Sequence, residues 1–168
     1  MRPTREQAWQ TLTQYTSSEA LLRHALAVEA SVAFYARRDG EDEELWRATA
    51  LLHDFDYEIH PTLDKHPQDG APILREEGYP EELIEAVLSH AEHLAMPRDT
   101  QLKKVLFACD ELSGFVHACG LVRPTGVDHE VVIYDGAPHS FFDRKHEEFA
   151  ADSEDAWNRV LAFLRRYC

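Results

Sequence analysis

A histidine at position 24, a histidine-aspartate pair at 53 and 54, and an aspartate at 110 each interrupt an apolar helical stripe, in LLRHALAVE, ATALLHDFDY and VLFACDELSGF. A lone carboxylate buried among core residues is costly unless something positive meets it, so Asp110 needs a cationic partner. Imidazole nitrogen together with carboxylate oxygen suits a divalent ion of borderline to hard character: iron, manganese, zinc or magnesium. The lack of a CxxC spacing argues against a structural zinc finger. Taken singly each residue has an ordinary explanation, since a histidine on an apolar helix is more often a hydrogen-bonded core residue than a ligand.

The elements that must position these groups are helices. Thr4 caps a first helix through about Tyr15, and Ser17 or Ser18 caps a second that carries Leu21, Leu22, Ala25, Val28, Val32 and Ala36 at helical spacing and stops at Gly40. The acidic run GEDEEL suits the positive end of a third helix, which continues to His53. A short helix with Ile73 and Leu74 closes at Gly78, and Pro80 opens a fifth at a first-turn position. Thr100 starts a long sixth helix whose broad apolar stripe includes Leu102, Val105, Leu106, Cys109, Leu112, Phe115 and Val116, with Gly120 as its end. Three separate helices would thus bring His24, His53-Asp54 and Asp110 to one place.

In this ordered set and all-helical context, residues 18–124 resemble the HD superfamily of metal-dependent phosphohydrolases. The resemblance implies a helical bundle in which His24, His53, Asp54 and Asp110 are metal ligands. A subset of that superfamily binds two metals, and His66 in KHPQDGAPIL and His90 in AVLSHAEH fit its additional ligand positions, with Asp54 as the bridge. Ordinary explanations compete: a helix-start residue before Pro67 for His66, and a helix-dipole contact for His90. His60 and His93 read as supporting or solvent-facing. Among Lys65, Arg75, Lys103 and Lys104, Lys65 is favoured as a catalytic phosphate anchor because it adjoins His66.

What the resemblance implies is attack of metal-activated water on a small phosphate ester, nucleotide-like, with one or two divalent ions (Fe, Mn, Zn or Mg) as cofactor. Two alternatives stay open. A branch of the same superfamily uses these six ligands for di-iron oxygen chemistry, and a non-enzymatic module would only bind a nucleotide or a metal.

Beyond RPTGVD the character changes. HEVVIY is the one segment of convincing β composition, which places a boundary near Pro124 and divides the chain into 1–124 and 125–168. Residues 127–168 resemble the terminal strand, histidine loop and helix of dienelactone hydrolases, and His139 in GAPHSFFDR matches that family's catalytic base. A base needs a nucleophile on a G-x-[CS]-x-G elbow, and none occurs in the chain, so the segment is expected to be a strand-loop-helix appendage without esterase activity. The strand, apolar on both faces, needs a partner, and the simplest closed solution is a homodimer paired through it.

Composition bounds the rest. The 168 residues, 44% hydrophobic and 29% charged, suit a soluble globular protein. No apolar run approaches the roughly 20 residues of a membrane span, and no apolar segment follows Arg2 and Arg5 as a secretory signal would require, so a cytoplasmic location without membrane partners is expected. A net charge of −14 repels long nucleic acid, although a metal can still supply local positive charge for a small phosphorylated substrate. Cys109, Cys119 and Cys168 read as structural or incidental.

Overall fold

The computed structural model describes residues 2–122 and 147–167, with side chains for 2–116 and 147–162. It divides into two compact units, Met1–Leu121 and Val122–Cys168. The first contains helices α1 (Arg5–Tyr15), α2 (Glu19–Asp39), α3 (Glu43–Leu52), α4 (Gly70–Glu76), α5 (Glu81–His90) and α6 (Gln101–Val122), which reaches one residue past the division. A single 3-10 turn, Glu92–Leu94, follows α5. The second contributes α7 (Ala150–Tyr167).

The ends of these helices follow local chemistry. Thr4 and Gln7 form a reciprocal capping box on α1, and the Asp42 carboxylate accepts the Leu45 amide at the start of α3. Gly40 (φ 74°) and Gly78 (φ 83°) occupy the left-handed region that terminates α2 and α4. Pro80 is the N-cap of α5, one position before the first helical residue where the sequence suggests it.

Helix α3 is central and packs against α1, α2 and α5. Its Leu51 and Leu52 are fully buried, with Phe55 just beyond its end, among Val28 and Val32 of α2, Ile84 and Val87 of α5 and Leu106 of α6. A partly buried ion cluster also joins these helices: Glu29 of α2, itself buried, accepts from Arg5 of α1 (2.6 and 3.0 Å) and from Arg47 of α3 (2.8 Å).

Two expectations for α6 change. The helix passes Gly120 and runs to Val122, because an isolated glycine in a long helix lowers stability without forcing a stop. Its apolar stripe also divides: Leu102, Val105, Leu106 and Cys109 are core, whereas Leu112, Phe115 and Val116 are exposed. No strand occurs among the described residues. The predicted strand at 129–134, the histidine loop with His139 and the dimer contact built on them lie outside the described residues. Among those described, no helix is long and apolar enough to cross a membrane.

Candidate metal centre

His24 projects from the first third of α2, His53 stands immediately after the last residue of α3 with Asp54 next to it, and Asp110 lies midway along α6. The fold brings them together. His24 Nε2 is 3.2 Å from His53 Nε2, 2.9 Å from Asp110 Oδ1 and 3.8 Å from Asp54 Oδ2. His53 Nε2 is 3.4 Å from Asp54 Oδ2 and 3.5 Å from Asp110 Oδ1.

The other oxygen of Asp54 faces a second set. His66, on the turn before α4, and His90, the last residue of α5, place their Nε2 atoms 3.1 and 3.3 Å from Asp54 Oδ1 and 3.4 Å from each other. His24, His53 and Asp54 thus form one group with metal-ligand spacing, and Asp54, His66 and His90 a second. The four rings pack edge to face in a chain, with centroids 5.1 to 5.3 Å apart.

Hydrogen bonds on the far side of three rings define what their Nε2 atoms are. His53 Nδ1 faces the Ala50 carbonyl at 2.7 Å, His90 Nδ1 faces the Val87 carbonyl, and His66 Nδ1 faces Asp56 Oδ1 at 2.8 Å. These partners only accept, so each Nδ1 carries its hydrogen and donates, and the Nε2 of the neutral ring is a lone pair. Three lone pairs then point at the oxygens of Asp54, an arrangement that needs a proton or a metal cation between the groups. The donor set, imidazole nitrogens with carboxylate oxygens, fits a divalent metal.

Without a metal, protons take that place. Burial opposes charge on His53, but the Asp54 and Asp110 carboxylates outweigh it and hold the ring's pKa well above the usual histidine range. Burial likewise opposes the His66 cation, yet Asp54 and Asp56 bring its pKa to about 9. For Asp54 and Asp110 burial favours the neutral acid, and the surrounding histidines reverse this, leaving both carboxyls below the ordinary range. Cys109, next to Asp110, is a buried free thiol raised to about 11 by burial and then by the Asp110 charge, which agrees with a packing role.

The centre opens into a cleft of about 530 Å³, lined by Asp54, His66, His90 and Asp110 together with Tyr57, Leu63, Glu92, His93 and Glu111. Lys65 is exposed and does not line it, although it adjoins His66 in sequence. The turn presents successive side chains in different directions, so adjacency along the chain does not carry Lys65 into the cleft. The other cations considered are engaged or elsewhere: Lys103 is buried on Glu85 and Asp99, Arg75 pairs with Glu81, and Lys104 is exposed away from the lining.

Two residues that the sequence reading passed over belong to the centre. Asp56 is fully buried and accepts from both His66 and His60. Gly70, the first residue of α4, lies against it so closely that a Cβ there would come within 2.6 Å of the Asp56 carboxyl. The readable signal was a second aspartate two positions after the first, in HDFD, beside a core phenylalanine.

Comparison with known proteins finds two families. Residues 120–168 match the dienelactone hydrolase family. No curated protein and no solved structure matches the chain. Residues 21–114 match the HD domain family over more than half of the chain and span His24, His53, Asp54, His66, His90 and Asp110, so the protein belongs to the HD domain family.

Proposed function

We propose that the protein is a metal-dependent phosphohydrolase of small, nucleotide-like phosphate esters, working through two divalent ions. The observation that carries this reading is the division of Asp54: one carboxylate oxygen faces His24 and His53, the other His66 and His90. His24, His53, Asp54 and Asp110 would hold the first ion, and Asp54, His66 and His90 the second. Ions held there supply Lewis acidity, enough to make water a nucleophile near neutral pH and to stabilise charge building on phosphoryl oxygens.

The chain's own groups prepare for this. Acceptors behind His53, His66 and His90 fix each ring's tautomer and direction, so the lone pairs converge before a cation arrives. The cleft is of a size for a small ligand, with an aromatic and aliphatic edge at Tyr57 and Leu63. Among the described residues no lysine or arginine lines it, so ions held by the histidines and carboxylates would supply the positive charge that a phosphoryl group needs.

The test is a panel of phosphomonoesters and phosphodiesters incubated with full-length protein and added manganese, run beside a chelated control. Metal-dependent turnover of at least one small ester supports the proposal. No turnover across the panel, with metal retained, would replace it by a binding role, and dioxygen consumption by iron-loaded protein would replace it by oxygen chemistry.

A further inference from the structure

The three rings with a defined acceptor behind them are not equivalent. His53 and His90 lean on backbone carbonyls of their own helices, as the last turn of a helix provides at no extra cost in sequence. His66 stands on a turn between helices and has no such carbonyl; its Nδ1 donates to the Asp56 carboxylate at 2.8 Å. A carboxylate behind a histidine fixes the ring and makes the opposite nitrogen a stronger donor than a neutral acceptor does.

Asp56 is not placed to be a ligand itself. Its side chain is fully buried, its Oδ1 accepts the hydrogen bond from His66 Nδ1–H, and its Oδ2 lies 3.2 Å from His60 Nδ1. It is absent from the cleft lining. Gly70 holds it there by lacking a side chain: an ideal Cβ would sit 2.6 Å from both Cγ and Oδ2 of Asp56 and 3.0 Å from its Cβ. A buried, short carboxylate backed by a helix start has nowhere to retreat, so a methyl group at position 70 must push it off His66.

We propose that Asp56, kept in register by the bare Cα of Gly70, is the positioning residue that builds the His66–His90 half of the centre and gives that half its hold on a second divalent ion. The inference rests on the two-ion reading above, and the experiment separates the two. Mn²⁺ uptake by full-length protein is titrated and unbound Mn²⁺ counted by its electron paramagnetic resonance signal. Wild type, Asp56→Ala, Asp56→Asn and Gly70→Ala are compared.

The second Mn²⁺ is expected to bind about 10–100-fold more weakly in Asp56→Ala and Gly70→Ala, with the first nearly unchanged. Asp56→Asn, whose amide oxygen still accepts from His66, restores part of that hold. Equal affinity for the second ion in wild type and Gly70→Ala, or parallel loss of both ions, overturns the positioning role while leaving the two-ion centre intact. A wild-type protein that takes up fewer than two ions overturns both. If Asp56→Ala does not fold, Asp56→Asn and Gly70→Ala carry the same comparison.

Discussion

Glu29 is the point at which stability and site geometry meet, and Glu29→Ala gives a quantitative check of how the first three helices are joined. The carboxylate is 5% exposed and accepts from Arg5 at 2.6 and 3.0 Å and from Arg47 at 2.8 Å. Removing one partner of a fully buried pair costs about 3–5 kcal/mol. Here the two arginine side chains are 32% and 30% exposed and can regain water, which lowers the expected loss to about 2–3 kcal/mol. For a unit of this size that is a fall of about 6–15 °C in melting temperature. Thermal unfolding of metal-free protein measures it, with Glu19→Ala as control, because the Glu19–Arg23 pair is exposed and should not register. A loss below about 0.5 kcal/mol, as for a surface substitution, would refute the view that this cluster joins α1 and α3 to the helix that carries His24.

Three further predictions concern the centre itself. Metal must displace the proton that His66 holds up to about pH 9, so second-ion affinity should rise about tenfold per pH unit between pH 7 and 9; calorimetry in buffers of different ionisation heat counts the released protons, and none released would contradict it. The same raised pKa gives the metal-free fold a stabilisation that is complete below pH 6.5 and lost as pH rises through about 9, which denaturant titration across that window reads. His66→Ala or His90→Ala should lower the bound metal from about two ions to about one, and His24→Ala should remove the other ion, as metal analysis after gel filtration will show; identical losses in all three would deny separate half-sites.

The helices and four of the candidate ligands, His24, His53, Asp54 and Asp110, were legible because helical periodicity is a strong signal and a polar group that breaks an apolar stripe is conspicuous, whereas His66 and His90 came only through the family resemblance. Thr4, Gly40 and Gly78 marked their helix ends through chemistry that acts within a few residues. The pairing of Asp56 with His66 was not legible, since the two are ten residues apart across an irregular segment with no period to align them. Gly70 could be understood only from what lies beside it in space. Glu29 carried a signal that went unused: with Ala25, Val28, Val32 and Ala36 it falls on the buried stripe of α2, and a charge there calls for partners. Lys65 shows the converse, since adjacency to His66 in sequence does not bring it into the cleft lining.

Asp54, whose two carboxylate oxygens face different pairs of histidines, is the residue on which the proposed two-ion centre depends. Metal analysis of manganese-saturated, gel-filtered protein should find about two ions per chain in wild type and essentially none in Asp54→Ala, with helical content unchanged by circular dichroism. A wild-type protein without bound ions, or an Asp54→Ala protein that keeps its full complement, would contradict it.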